Sequence, residues 1–83
     1  MKAVTIYTTP YCPFCVRAKK LLTQKKVAYE EIDVSSDDDA RDKLAQRTGQ
    51  QTVPQIYIGD KHIGGSDDLY ALEHKGELDA LLQ

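Results

Sequence analysis

The sequence predicts an α/β fold: a four-stranded mixed sheet flanked by helices, in the order βαβαββα. Three observations carry that prediction. The first half alternates β-rich runs with stretches of helical composition, the second half holds two short β runs joined by Gly59-Asp60, and Gly64-Gly65 separates these from a further amphipathic stretch. With 83 residues there is room for one compact domain over residues 1–83, and an apolar fraction of 41% supplies a small core.

The first strand is expected over Ala3 to Thr8, where Val4, Ile6 and Tyr7 form a β-rich run. After the break at Pro10, helical composition runs from about Pro13 to Lys25. Cys15, Ala18 and Leu22 fall at i, i+3 and i+7 and share one inward face, while Arg17, Lys19 and Lys20 lie away from it and are expected to be solvated. Val27 to Val34 reads as the second strand. Ser36 then resembles a helix cap, with Asp37, Asp38 and Asp39 complementing the positive end of the dipole of a helix that ends near Thr48 at Gly49. Val53 to Ile58 and Lys61 to Ile63 form a hairpin about Gly59-Asp60. Ser66 is the expected cap of a third helix, with Asp67 and Asp68 in its first turn and Leu69 and Leu72 as its apolar stripe, and a short turn near Leu78 to Leu82 closes the core. The first two strands should pair in parallel, the hairpin should join them antiparallel, and right-handed crossovers would place helices on both faces.

Composition removes several function classes. Eleven Lys plus Arg against thirteen Asp plus Glu give a net charge of -2, which offers neither the field of a nucleic-acid binder nor that of a membrane-surface protein. The N-terminal residues lack the long apolar stretch of a secretory signal and no segment approaches transmembrane length, so a cytoplasmic location is the expectation. In that reducing compartment a disulfide would be a transient state of a working cycle.

The only two cysteines, Cys12 and Cys15, stand in Cys12-Pro13-Phe14-Cys15, between a strand and a helix, which points to dithiol redox chemistry. The nucleophile in disulfide exchange is the thiolate. Cys12 precedes the helix, Pro13 suits its first position, and the free N–H groups with the dipole favour a negative sulfur; in such motifs a thiol pKa can fall from roughly 8.5 to between about 3.5 and 7.5. Cys15 lies one turn in on the buried face, where desolvation favours the neutral thiol. Attack is therefore assigned to Cys12 and resolution to Cys15. A zinc site would need two further ligands, and His62 and His74 are wrongly spaced for a compact metal motif, so no metal site is expected.

With Cys12-Pro13-Phe14-Cys15 after the first strand, Thr52-Val53-Pro54 before the third and Gly64-Gly65-Ser66-Asp67-Asp68 before the third helix, the chain resembles the glutaredoxins, most closely the small bacterial class 3 dithiol members, over essentially its whole length. The resemblance implies a thioredoxin-like fold, a cis peptide bond before Pro54, and glutathione as co-substrate with no tightly bound cofactor. Val53 would then offer its backbone beside Cys12 to the backbone of a glutathione moiety. Gly65, Ser66 and Asp67 would hold the γ-glutamyl group, its carboxylate on free N–H groups and its ammonium on Asp67. Arg41 matches a position that can pair with the glycine carboxylate, and Thr9, Phe14 and Thr52 complete the implied contacts. Many relatives carry lysine in place of Thr9 and tyrosine in place of Phe14; Arg41 or Gln51 would compensate for the missing cation. Some relatives have a cysteine in place of Ser66, and its replacement leaves no third thiol to form side products.

The resulting expectation is a monomeric glutathione-dependent thiol-disulfide oxidoreductase acting on disulfide-containing or glutathionylated proteins, with no nucleic-acid or membrane partner. Two rival readings are an electron donor of the same size reduced by thioredoxin reductase, and a protein holding an iron-sulfur cluster between two chains through Cys12 and glutathione. Arg41 with Ser66-Asp67 favours glutathione over the first, and the stiffness of Pro13 disfavours the second. The short chain and the lack of tryptophan tell against an ordinary thioredoxin.

Overall fold

A computed structural model describes residues 3–10, 12–35, 38–49 and 53–82. The elements are β1 (Val4–Thr8), α1 (Pro13–Gln24), β2 (Tyr29–Asp33), α2 (Asp38–Thr48), β3 (Gln55–Ile58), β4 (Lys61–Gly64), α3 (Ser66–His74) and α4 (Leu78–Leu82). The strands form one sheet in the order β2-β1-β3-β4. β1 and β2 run parallel, with Ile6 opposite Glu31, while β3 runs antiparallel to both β1 and β4. This is the expected mixed sheet. The turn expected over Leu78 to Leu82 is a short helix, which adds one element to the predicted order.

Strand alternation sorts the side chains to two faces. Val4, Ile6, Ile56 and Ile58 enter the main core with Ala18, Leu21 and Leu22 of α1, Leu69 of α3 and Leu78 and Leu82 of α4. On the opposite face Tyr7 and Tyr57 meet edge to face at 6.0 Å, and Arg47 of α2 lies 4.6 Å from the Tyr57 ring centroid. Helices thus cover both faces. Lys25 ties the end of α1 to the C-terminal helices through ion pairs with Glu73 and Asp79.

Two helix ends differ from the sequence expectation. β2 begins at Tyr29 rather than Val27 because Val27 belongs to the stop of α1: its N–H donates to Leu22 O and the N–H of Lys26 to Thr23 O, with Lys26 left-handed at φ 60°. At α3 the cap is Gly65 and not Ser66, since Asp68 Oδ2 accepts the Gly65 N–H at 3.0 Å while Ser66 is already the first helical residue. Gly49 follows α2 with φ 71°, as expected for a helix stop, and Gly59 has φ 59° at the hairpin turn. The Ser36 cap and Asp37 lie outside the described residues.

Candidate active site

The loop after β1 delivers Cys12 to the start of α1 in an extended conformation, with Pro13 as the first helical residue. This places the Cys12 side chain over the unpaired N–H groups of the first turn. Its Sγ accepts a 3.1 Å hydrogen bond from the Cys15 N–H, and its carbonyl accepts the first helical bond from Val16. On its other side the Cys12 thiol donates to Val53 O at 3.6 Å. The Val53-Pro54 bond is cis, as the resemblance implied.

Both thiols are free. Cys12 is 9% exposed and Cys15 1% exposed, so both residues are buried, Cys15 the more deeply. Burial pushes the Cys15 thiol from 9.0 up to about 12, and a hydrogen bond with Cys12 adds to the rise; a backbone hydrogen bond from Thr9 and the charge of Lys19 oppose it.

Beside the cysteines a groove of about 290 Å³ is lined by Phe14, Val53, Pro54, Gly65, Ser66, Asp67 and Asp68. Gly65 brings the start of α3 against the Pro54 loop, where an added Cβ would meet Pro54 O at 3.5 Å. Ser66 is 3% exposed, and its Oγ has no hydrogen-bond partner among the described residues. Asp67 is exposed, and Phe14 is 51% exposed over the groove. Thus Phe14, Val53, Pro54, Gly65, Ser66 and Asp67 come together. Thr9 is half-buried just after β1. Arg41 lines a separate hollow of about 420 Å³ along α2 with Asp38, Asp42 and Ala45. Gln51 and Thr52 lie outside the described residues.

Two residues escaped the sequence reading. Asp68 lines the groove and caps α3, a role that its position three residues after Gly65 could have signalled. Lys19 is not merely a solvated charge: half-exposed, its Nζ lies 2.9 Å from Glu31 Oε2, a pairing across elements that no local spacing announces.

The family model described as Glutaredoxin matches residues 4–63, which include the cysteine pair and the Pro54 loop. The chain belongs to the glutaredoxin family. It is 54% identical over 82 residues to a glutaredoxin of Pseudomonas aeruginosa, covering 99% of this chain and 98% of that protein. It is 48% identical over 83 residues to glutaredoxin 3 of Escherichia coli K12, covering both chains completely. Among solved structures, a glutaredoxin from Brucella melitensis matches with a TM-score of 0.89 at 52% identity, over 99% of this chain and 89% of that one. A buckwheat glutaredoxin solved as a complex with glutathione matches with a TM-score of 0.91 at 36% identity, over 95% of this chain and 74% of that one. As in other glutaredoxins, the sheet and helices of this family member form a thioredoxin-like fold.

Proposed function

We propose that the protein is a glutathione-dependent thiol-disulfide oxidoreductase that reduces glutathione mixed disulfides and protein disulfides through Cys12 and Cys15. The observation that carries this reading is the Cys12 Sγ at a helix start, bonded to the Cys15 N–H and flanked by the Val53 carbonyl at the mouth of a peptide-sized groove. A helix N-terminus offers donors to a sulfur that becomes negative when it is the nucleophile or the leaving group.

On a glutathionylated protein, Cys12 attacks the glutathione sulfur, the protein thiol leaves, and a second glutathione releases the glutathionyl group from Cys12. On a protein disulfide, Cys12 attacks first and releases one substrate thiol, Cys15 then attacks Cys12 Sγ and frees the second, and two glutathiones reduce the resulting Cys12–Cys15 disulfide and leave as glutathione disulfide. Glutathione needs no tight cofactor site. Its main chain suits the Val53 backbone, and its γ-glutamyl end suits the α3 N-terminus, where Gly65, Ser66 and the Asp67 carboxylate stand together. The buckwheat relative in complex with glutathione supports the same ligand. Phe14 covers the groove, while Thr9, Arg41 and Thr52 are assigned the remaining contacts. The protein acts as a monomeric single domain in the cytoplasm, without nucleic-acid or membrane partners; among the described residues no helix is long and apolar enough to cross a membrane.

The test is a pair of variants assayed with glutathione. Cys12→Ser abolishes both activities, whereas Cys15→Ser keeps deglutathionylation and loses protein disulfide reduction. Retained deglutathionylation in Cys12→Ser would refute the assignment.

A further inference from the structure

Resolution presents a chemical difficulty, because a thiol buried as deeply as Cys15 must lose its proton before it can attack. The structure places a built ion pair one helical turn beyond it. Lys19 stands at i+4 from Cys15 on α1, a spacing that brings Cβ atoms to about 5–6 Å on one face. Its Nζ reaches across to β2 and pairs with Glu31 Oε2 at 2.9 Å, and the same oxygen accepts a 2.8 Å hydrogen bond from Thr8 Oγ1. Thr8 is itself 1% exposed, so the carboxylate is anchored from inside the sheet. The side chains of Lys19 and Glu31 are 29% and 39% exposed, which leaves the ammonium partly withdrawn from screening water.

We propose that Lys19, held in place by Glu31, is a positioning residue for resolution: its ammonium stabilises the Cys15 thiolate as that thiolate forms. This rests on the assignment of Cys15 as the resolving thiol. The Cys15 thiol gives its proton to solvent base and the thiolate attacks Cys12 Sγ. The bond between Cys12 and the substrate sulfur breaks as the Cys12–Cys15 bond forms, and the substrate sulfur leaves with the electron pair and takes up a proton. The substrate disulfide gains two electrons and the cysteine pair loses two.

The charged and titratable groups around this step are few. Cys12 acts from the loop and raises the Cys15 thiol together with burial, whereas Lys19 from its own helix and the Thr9 backbone at the end of β1 lower it. From β2, Glu31 and Tyr29 hold Lys19 in its charged form, with the Glu31 hydrogen bond the largest influence. From α3, the Tyr70 hydroxyl is engaged with Arg17 O. Lys19 is thus the cation one helical turn from Cys15 on the same helix, held there by Glu31.

An aromatic disulfide that releases a coloured thiolate, 5,5′-dithiobis(2-nitrobenzoate), separates the steps in a stopped-flow experiment. The first release reports attack by Cys12 and the second reports attack by Cys15 on the resulting mixed disulfide. Lys19→Gln is expected to slow the second release relative to the first, by about threefold for each tenfold loss of thiolate, because that loss is offset about threefold by the greater nucleophilicity of a more basic sulfur. The pH midpoint of the second release should move upward, and Lys19→Arg should restore both rate and midpoint. Lys19→Met, neutral but equally helix-forming, provides a second test if the glutamine variant folds poorly by circular dichroism. A second release unchanged in rate and pH profile in the neutral variants, or an arginine variant as slow as they are, would overturn the proposal. A second release that persists in Cys15→Ser would instead overturn the assignment of Cys15, so the two failures are distinct.

Discussion

The Sγ of Cys12 accepts a 3.1 Å hydrogen bond from the backbone N–H of Cys15, so the proposed nucleophile caps the helix that carries its own resolving partner. The contact joins stability and chemistry at one atom. Cys12→Ser keeps an acceptor at the cap, whereas Cys12→Ala leaves the N–H groups of the first turn without one. The alanine variant should therefore be less stable than the serine variant by about 0.5–1 kcal/mol, measured by urea unfolding of the two proteins. Equal stabilities would mean that the sulfur does not act as a cap.

The buried Cys15 thiol makes the reduced protein sensitive to alkali. Its pKa is raised from 9.0 in the unfolded chain to about 12, first by burial and then by the hydrogen bond with Cys12. A neutral thiol held in this way stabilises the fold fully below about pH 9, and the contribution is lost as pH rises toward and through about 12. The stability difference between the reduced wild type and Cys15→Ala should shift in favour of the variant across that window. A difference that does not change with pH would contradict the burial argument.

Gly64 and Asp68 form a steric and electrostatic pair at the entrance to α3. Gly64 has φ 118°, and a Cβ there would run into the Asp68 carboxylate, with Cγ at 2.8 Å, just where that carboxylate accepts the Gly65 N–H. Gly64→Ala should cost about 1–3 kcal/mol in chemical unfolding, from backbone strain and from the displaced cap. In a double-mutant cycle with Asp68→Ala, the cost of Gly64→Ala should fall, because the clashing group is gone.

Lys26 is a non-glycine residue at the left-handed position that ends α1. Its side chain costs about 1–2 kcal/mol there, and the extra freedom of glycine in the unfolded chain returns part of this. Lys26→Gly should raise the stability of the protein by about 0.5 kcal/mol in urea unfolding. A loss of stability would show that Lys26 makes a contact that outweighs its backbone conformation.

The strands, the three longer helices and the cysteine pair were legible because local chemistry dictates them. Val4 and Ile6 alternate with half-buried neighbours, Cys15, Ala18 and Leu22 keep helical spacing, and Pro13 can start a helix but not continue one. The obscured features depend on contacts between distant segments or on competition between adjacent ones. Val27 has the composition of a strand residue, yet the stop of α1 claims its N–H. Ser66 is a good cap by type, yet Asp68 reaches back to Gly65 and moves the cap one residue earlier. Lys19 reads as a surface charge until β1 and β2 pair and set Glu31 across from it. Arg41 is a different case: its pairing with the glycine carboxylate of glutathione is implied by the resemblance alone, and the fold sets it in the hollow along α2 with Asp38, Asp42 and Ala45.

In the proposed reaction Cys12 is the attacking thiol and Cys15 the shielded one. Limited alkylation of the reduced protein by iodoacetamide at neutral pH, followed by peptide mapping, measures this directly. The first equivalent should fall on Cys12 and remove activity with glutathione in step, while Cys15 stays unmodified. First modification at Cys15, or full activity after Cys12 is alkylated, would contradict it.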